Sequence, residues 1–171
     1  MIRSQADGEA MDNNASSIAV VGVGNVLMGD EGVGVEVARR LRRMNLPRGV
    51  EVMDGGTLGL ELAVHLADKE AIVFLDAIAL EAEPGSVFRF EIDEGACLST
   101  LRRSSHDGGL EELLRYLLSL PSKPKILLFG ICPSVVEMRL GLSPAVQQSM
   151  DRIITRIIHE LRHLNQECVK S

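Results

Sequence analysis

The sequence predicts an α/β fold, a three-layer α/β/α sandwich built on a mostly parallel, twisted sheet of about five strands. Two observations support this prediction. Short apolar runs alternate along the chain with amphipathic segments of helical period. Most of these runs are continuously apolar, which is typical of parallel strands that are buried on both faces.

The first strand and the first helix are expected close to the start of the ordered chain. Residues 18–24 form a continuous apolar run that follows two serines. In residues 32–44 the apolar side chains recur at helical spacing, namely Val33, Val37, Leu41 and Met44. The arginines of this segment lie towards its C-terminal end, where the helix dipole favours cations. These features predict a buried strand followed by an amphipathic helix.

The same alternation continues through the middle of the chain. We expect a short strand at residues 50–53 and a short helix at residues 58–66, after a Gly-Gly turn. The run AIVFL at residues 71–75 predicts another buried strand. Residues 86–91 alternate between apolar and polar side chains, which indicates a strand nearer an edge of the sheet.

The C-terminal part of the chain supplies a helix, a strand and a long final helix. The helix is predicted at residues 110–120 and the strand at residues 125–129. The final helix is expected at residues 143–164. Ser143 and Pro144 suit its start, because a serine hydroxyl caps a helix well and proline is favoured at the first helical position.

The length of 171 residues fits one domain, which is large enough to bury most of its apolar surface. We expect a flexible N-terminal tail at residues 1–17, a single domain at residues 18–164 and a C-terminal tail at residues 165–171. No internal repeat, low-complexity tract or linker divides the middle part.

The composition excludes several functional classes. The chain has 18 Lys plus Arg against 24 Asp plus Glu and only 3% aromatic residues, whereas nucleic-acid binding uses basic grooves and aromatic platforms. No apolar run approaches the roughly 20 residues that span a bilayer, and no signal peptide is recognisable. The three widely spaced cysteines, none in a CxxC pair, indicate reduced thiols. We therefore expect a cytoplasmic monomer that binds neither nucleic acid nor membranes.

Three polar residues are candidates for the functional site, because ligands of such sheets bind beyond the carboxyl ends of the strands. Glu31 follows the first strand, Asp76 directly follows the run AIVFL, and His106 precedes the helix at residues 110–120. Alone, Glu31 is more typical of a first-turn or solvated acid, and His106 of a loop residue beside a helix cap. Asp76 is harder to explain in this way, because a carboxylate at the end of a buried strand is costly unless it caps a helix, pairs with a cation or binds a metal. Together, two carboxylates and one imidazole at one edge predict a three-ligand site for a first-row divalent ion, nickel among them.

A nucleotide-binding, Rossmann-like module is one alternative, since the turn after the first strand is rich in glycine. Gly22 and Gly24 fit the first two positions of GxGxxG, but Leu27 stands at the last one. The chain also lacks the GK[ST] of a phosphate loop. Such a module would bind mononucleotides and would be indifferent to nickel.

A self-contained zinc peptidase is the other alternative, because HELRH at residues 159–163 matches the H-E-x-x-H motif. At about 100° per residue, His159 lies nearly opposite the expected apolar stripe of the final helix and His163 lies well off it. Both imidazoles are therefore expected to face water, and we interpret the match as fortuitous. The alternative predicts co-purified zinc and loss of activity in His159→Ala.

Four segments occur in one order along the chain: VGVGNVLMGDEGVG, MDGGTLGLEL, VFLDA and SSHDGGL. Together they resemble the nickel–iron hydrogenase maturation endopeptidases, over residues 18–164. The resemblance implies a peptide-bond hydrolase that removes a short C-terminal extension from the precursor of a hydrogenase large subunit. It implies a cut just after the His or Arg that closes the last Cys-x-x-Cys-x-x-His/Arg segment of that subunit, once nickel has been inserted.

The resemblance also carries site residues to this chain. By motif position, the three metal-binding residues of the family fall on Glu31, Asp76 and His106, and it implies that the same residues serve catalysis. A weaker catalytic or supporting role falls on Asp54. Nickel is expected to come with the substrate, no organic cofactor is implied, and the partner is the large-subunit precursor. Residues 79–105 contain no recognisable motif, which leaves substrate preference open.

Overall fold

The computed structural model describes residues 17–93 and 109–168. Within these ranges the chain forms one five-stranded sheet and four α-helices. The strands are β1 (Ile18–Val23), β2 (Val50–Gly56), β3 (Ala71–Ala77), β4 (Val87–Ile92) and β5 (Lys125–Ile131). The helices are α1 (Val33–Leu41), α2 (Ala63–Leu66), α3 (Gly109–Ser119) and α4 (Pro144–Cys168). Short 3-10 turns, Gly29–Gly32 and Leu60–Leu62, lead into α1 and α2.

The strand order is β2-β1-β3-β5-β4. The pairs β1–β2, β1–β3 and β3–β5 are parallel, and β4 joins β5 as an antiparallel edge strand. The predicted class, a mostly parallel five-stranded sheet with an edge strand at residues 86–91, is confirmed. An edge strand tolerates the alternating sequence of β4 because water reaches part of its surface.

Helices cover both faces of the sheet, which confirms the three-layer prediction. On one face α1 and α4 pack on a core that includes Val20, Val73 and Phe129. On the other face α2 and α3 pack on a core that includes Phe74 and Leu128. Successive side chains of a strand point to opposite faces, so burial of both faces requires the continuous apolar runs seen in the sequence.

The chain winds in two directions from β1. It passes through α1 to β2 on one side, and then returns through α2 to β3 on the other side of β1. Since crossovers between parallel strands are right-handed, the two helices lie on opposite faces. Their divergence leaves a crevice between the carboxyl ends of β1 and β3, which is the place where ligands bind in such sheets.

Several element ends differ from the prediction. The final helix continues to Cys168, so residues 165–168 belong to it and not to a tail. Its last turn is held by Lys125 at the start of β5, whose Nζ lies 2.9 Å from the Glu167 carboxylate. Strands β3 and β5 each extend two residues beyond the apolar run, because backbone pairing continues through Asp76 and its partner Gly130.

In the two described stretches, no helix combines the length and the apolar character that crossing a bilayer requires. The longest helix, α4, has 25 residues, but its outer face carries charged and polar side chains.

Candidate active site at the carboxyl edge of the sheet

Glu31 lies in the Gly29–Gly32 turn between β1 and α1, and only 8% of it is exposed. The position of this turn is determined by a close approach between the backbones of α1 and β3. At Gly34, in the first turn of α1, a β-carbon would overlap the carbonyl oxygen of Leu75 in β3. The glycine thus allows the start of α1 to rest on the end of β3, and the Glu31 turn comes with it.

Asp76 stands at the end of β3 and has no exposed surface. Its Oδ1 accepts a hydrogen bond from the backbone N–H of Ala77 at 2.8 Å. The structure therefore places Glu31, in the turn between β1 and α1, and Asp76, near the end of the adjacent strand β3, in buried positions at the carboxyl edge of the sheet. Buried carboxylates favour a cation or strong hydrogen-bond donors, because they have lost their water.

The third predicted ligand, His106, lies outside the described residues. The chain is described again from Gly109, which packs against Gly59 in the loop after β2, also at the carboxyl edge. Within the described residues, no group of three His, Cys, Asp or Glu side chains is arranged to hold a metal ion. The set of Glu31, Asp76 and His106 remains a prediction.

Asp54, near the end of β2, has partners that belong to the fold. Its Oδ1 accepts the N–H of Gly56 at 3.1 Å, and its Oδ2 accepts a hydrogen bond from Nε of Arg39 at 3.0 Å. The hydrogen bond with Asp54 raises the pKa of Arg39, and Glu36 on the preceding turn adds to the effect. Asp54 therefore fastens α1 to β2, which fits a supporting role better than a direct chemical one.

Asp30 is the important residue that sequence reasoning missed. It is fully buried and its carboxylate accepts four hydrogen bonds from the loop between β5 and α4. Oδ2 accepts the N–H groups of Ser134 at 2.8 Å and Val135 at 2.9 Å. Ser143 donates its N–H to Oδ1 and its hydroxyl to Oδ2, both at 2.7 Å. These donors stand more than 100 positions away along the chain, so no local pattern reveals them.

The surroundings of Asp30 keep it ionised. Burial alone would raise its pKa, but the hydrogen bonds from Ser143, Val135 and Ser134 lower the pKa below the ordinary value of 3.8. Ser143 also caps α4, since its hydroxyl oxygen lies 3.4 Å from the N–H of Val146, as predicted from the sequence. Asp30 thus joins the turn that carries Glu31 to the start of the final helix.

The glycine-rich loop after β1 is not a phosphate cradle. The N–H of Gly24 donates to Gly56, that of Leu27 to the side chain of Asn25, and that of Gly29 to Arg139. These donors would have to face a phosphate in a nucleotide-binding turn. Gly24 has a φ of 138°, and a β-carbon there would overlap the carbonyl of Glu31. This geometry disfavours the nucleotide-binding alternative, because the loop is filled by its own backbone.

The HELRH segment lies on the outer face of α4. His159 and His163 are exposed, as the helical period predicts. Glu160, which would be the base of a zinc peptidase, lies instead beside Arg89 of β4, with Oε2 at 3.4 Å from Nε. The glutamate is therefore turned away from the two imidazoles, which disfavours the zinc-peptidase alternative.

We expect Glu160→Gln to leave peptidase activity within about twofold of the unchanged chain, because the exchange removes only a surface ion pair. In an H-E-x-x-H enzyme the same exchange removes the catalytic base. The check is the rate of cleavage beside Glu51→Gln, a matched exchange of a surface glutamate whose carboxylate lies 3.4 Å from Nζ of Lys69. A large loss confined to Glu160→Gln would restore the zinc-peptidase hypothesis.

The described cysteines are not activated nucleophiles. Cys132 is buried and its Sγ lies 3.7 Å from the carbonyl oxygen of Leu80. Burial raises the pKa of the Cys168 thiol, so less of it is thiolate. Cys97 lies outside the described residues.

A doubly wound α/β domain with two buried carboxylates near its switch point, and with its glycine loop closed to phosphate, fits a hydrolytic enzyme better than a dinucleotide-binding module. The chain belongs to the hydrogenase maturation protease (HycI) family, whose model matches residues 35–160. It is accordingly a peptidase of hydrogenase maturation, as the resemblance of its motifs predicts.

Individual relatives support this assignment. The chain is similar to the hydrogenase 2 maturation protease of Escherichia coli K12, with 34% identity over 155 residues, 89% of this chain and 94% of the relative. The solved structure of the hydrogenase maturating endopeptidase HybD from E. coli aligns with a TM-score of 0.73 and 33% identity, covering 85% and 92% of the two chains. The [NiFe] hydrogenase maturation protease HybD from Thermococcus kodakarensis aligns with a TM-score of 0.69 and 28% identity, covering 84% and 97%.

Proposed function

We propose that this protein removes the C-terminal extension of a hydrogenase large-subunit precursor after nickel insertion, and that it recognises the nickel carried by that substrate. One observation carries the proposal: Glu31 and Asp76 are both buried and follow the two strands that flank the crevice. Carboxylate oxygens and an imidazole are suitable ligands for a first-row divalent ion. Membership of the peptidase family supplies the reaction class.

The proposed recognition works as a checkpoint. The precursor brings nickel on its own cysteines into the crevice, where Glu31, Asp76 and His106 complete the coordination. An unloaded precursor offers these three side chains nothing to bind. Selection of the nickel-loaded precursor therefore comes from the same contact that positions the scissile bond.

The chemical step is hydrolysis of one peptide bond. A water molecule, assisted by one of the carboxylates, attacks the scissile carbonyl carbon, the C–N bond breaks, and the proton passes to the leaving amine. We assign this assisting role to Glu31 or Asp76, the two carboxylates that the proposed site contains. Asp54 holds α1 and β2 in place beside them.

An exposed apolar surface surrounds the crevice and suits a protein substrate. The loops after β1, β2 and β5 expose six large apolar side chains, which we call the apolar rim: Leu27, Leu58, Leu60, Val136, Met138 and Leu140. Met138 is 87% exposed and Leu140 is 78% exposed. The N–H of Arg139, between them, donates to the carbonyl of Leu27 at 2.9 Å, so two of the loops form a continuous surface. Apolar patches of this kind mark protein interaction sites.

We assign the apolar rim to the large-subunit precursor, because the rim borders the crevice into which the scissile segment must enter. The double variant Met138→Asp/Leu140→Asp is expected to lower kcat/KM for the precursor by about tenfold, mainly through KM, since it removes docking contacts and not reacting groups. Steady-state cleavage of the loaded precursor measures both constants.

The control for the rim is Met44→Asp, which places the same charge at an exposed methionine after α1, at the opposite edge of the sheet. It is expected to leave both constants unchanged. An equal effect of the two variants, or no effect of the rim variant, would contradict the assignment of the rim to the precursor.

The experiment that tests the proposed function mixes the purified chain with a hydrogenase large-subunit precursor, with and without inserted nickel. Mass spectrometry follows the precursor. We expect loss of the C-terminal peptide from the loaded precursor only. No mass loss from the loaded form would refute the proposed substrate, and equal cleavage of both forms would refute nickel recognition while leaving the peptidase activity intact.

A further inference from the structure

The two histidines of the HELRH segment remain outside the proposed function, and their geometry has its own chemistry. His159 and His163 are one helical turn apart on the exposed face of α4. Their Nε2 atoms are 3.3 Å apart, the ring centroids are 4.5 Å apart, and the ring planes are inclined by 60°. The outer nitrogens of the two imidazoles are therefore close enough to bind one ion at the surface.

The separation of the nitrogens fits two bonds to one ion. With Zn–N bonds of about 2.05 Å, nitrogens 3.3 Å apart subtend an angle of about 107° at the ion. That angle is close to the tetrahedral value that zinc adopts in proteins. A right angle, as in square-planar or octahedral sites, would need the nitrogens about 2.9 Å apart at the same bond length.

We propose that His159 and His163 form a surface site for a zinc ion, separate from the peptidase crevice, with water in the remaining positions. The helix fixes the spacing of the pair before the ion arrives, so the second imidazole binds at a high effective concentration. Without the ion, one ring donates its N–H to the other across the same 3.3 Å, and zinc replaces that contact.

The neighbours of the pair make this a two-histidine site. Glu160, which precedes His163 by three positions, pairs with Nε of Arg89 in β4 at 3.4 Å. Glu167, one turn after His163, is held by Lys125 at 2.9 Å, and that hydrogen bond lowers the pKa of Glu167. Both carboxylates are paired with cations, so the proposed site uses the two imidazoles and leaves the remaining positions of the ion to water.

The test is a titration of the full chain with zinc chloride, followed by NMR of isotope-labelled histidine side chains. The chain has four histidines, so the ring signals can be assigned by substitution. The signals of His159 and His163 are expected to move together and to saturate at one ion. His159→Ala is expected to weaken the response of His163 by about tenfold or more, because the chelate is lost.

His65→Ala is the matched control, since His65 is also exposed on a helix but has no second histidine one turn away among the described residues. It is expected to leave the zinc response of the pair unchanged. Thermal unfolding supplies a second readout, because zinc that binds the folded helix raises Tm in the unchanged chain and in His65→Ala, but not in His159→Ala.

Two results would overturn the proposal. One is that millimolar zinc leaves the ring signals of His159 and His163 in place. The other is that His159→Ala leaves the response of His163 as strong as before. Uptake of zinc at the crevice would instead move the His106 signal and would disappear in Glu31→Gln, so the two sites are distinguished.

Discussion

Asp76→Asn and Glu31→Gln are each expected to slow cleavage of the nickel-loaded precursor by about 100-fold or more. Each exchange keeps the size of the side chain and removes its negative charge from a buried position. Loss of a residue that merely orients a metal ligand already costs about 10–100-fold, and loss of a ligand costs more. Because both carboxylates contact the same proposed nickel ion, the double variant should lose little more than either single one.

Single-turnover cleavage of the loaded precursor, followed by mass, measures this effect. Glu51→Gln is the control, an exposed acid at the start of β2, away from the carboxyl edge of the sheet, and its rate should match that of the unchanged chain. Thermal unfolding of each variant shows whether the fold is kept. Folded variants that cleave at the normal rate would refute the assignment of Glu31 and Asp76, while the family membership would stand.

Asp30→Ala is expected to lower the free energy of unfolding by about 4 kcal/mol, because several buried donors lose a charged acceptor. The exchange leaves the N–H groups of Ser134, Val135 and Ser143 without their acceptor. A buried donor that loses its partner costs about 1–3 kcal/mol, and the lost acceptor here was charged. Surface acids have no comparable effect.

Urea unfolding of the unchanged chain and of Asp30→Ala measures this difference in free energy. Equal m-values show that both proteins unfold in the same cooperative transition. Glu111→Ala is the control: its carboxylate also binds donors, the Nε and terminal nitrogen of Arg115, but on the exposed surface of α3. Its expected cost is about 0.5 kcal/mol. Equal costs for the two exchanges would show that the Asp30 contacts contribute no more than a surface pair.

The same residue produces an acid-dependent loss of stability. Because the folded pKa of Asp30 is lowered below 3.8, its contribution is fully present above the unfolded pKa and is lost as the pH falls through the folded pKa. The unchanged chain should therefore lose stability between about pH 5 and pH 2, and Asp30→Ala should show a shallower loss over that range.

Much of the fold was predictable because it depends on hydrophobic pattern. Continuous apolar runs placed β1, β3 and β5, and alternation placed β4 at an edge, since the number of buried faces determines the pattern. Glu31 and Asp76 were predictable as site candidates because Asp76 directly follows an apolar run and Glu31 lies in the loop after the first strand. The polar end of α4 was not predictable from the sequence, because Asn165 and Gln166 do not continue the apolar helical period. The helix is extended there beside the Lys125–Glu167 ion pair.

The role of Asp30 could not be predicted, since its partners come from the far side of β5 in sequence and most of them are backbone groups. The histidine pair was half predictable. Helical period places His159 and His163 on the outer face, but the approach of their Nε2 atoms depends on side-chain rotamers, which period does not determine. The apolar rim was also not predictable from the sequence, because its six side chains come from three separate loops.

The carboxylate of Asp30 connects three segments that are distant in the sequence. Local opening of one segment is therefore coupled to opening of the others. The turn that carries Glu31, the loop that carries the apolar rim and the first turn of α4 all depend on its hydrogen bonds. Fluctuations that release the amides of Ser134, Val135 or Ser143 to solvent exchange must therefore loosen the crevice as well. On the proposed docking of the precursor at the rim, binding there is therefore expected to make the crevice more rigid as well.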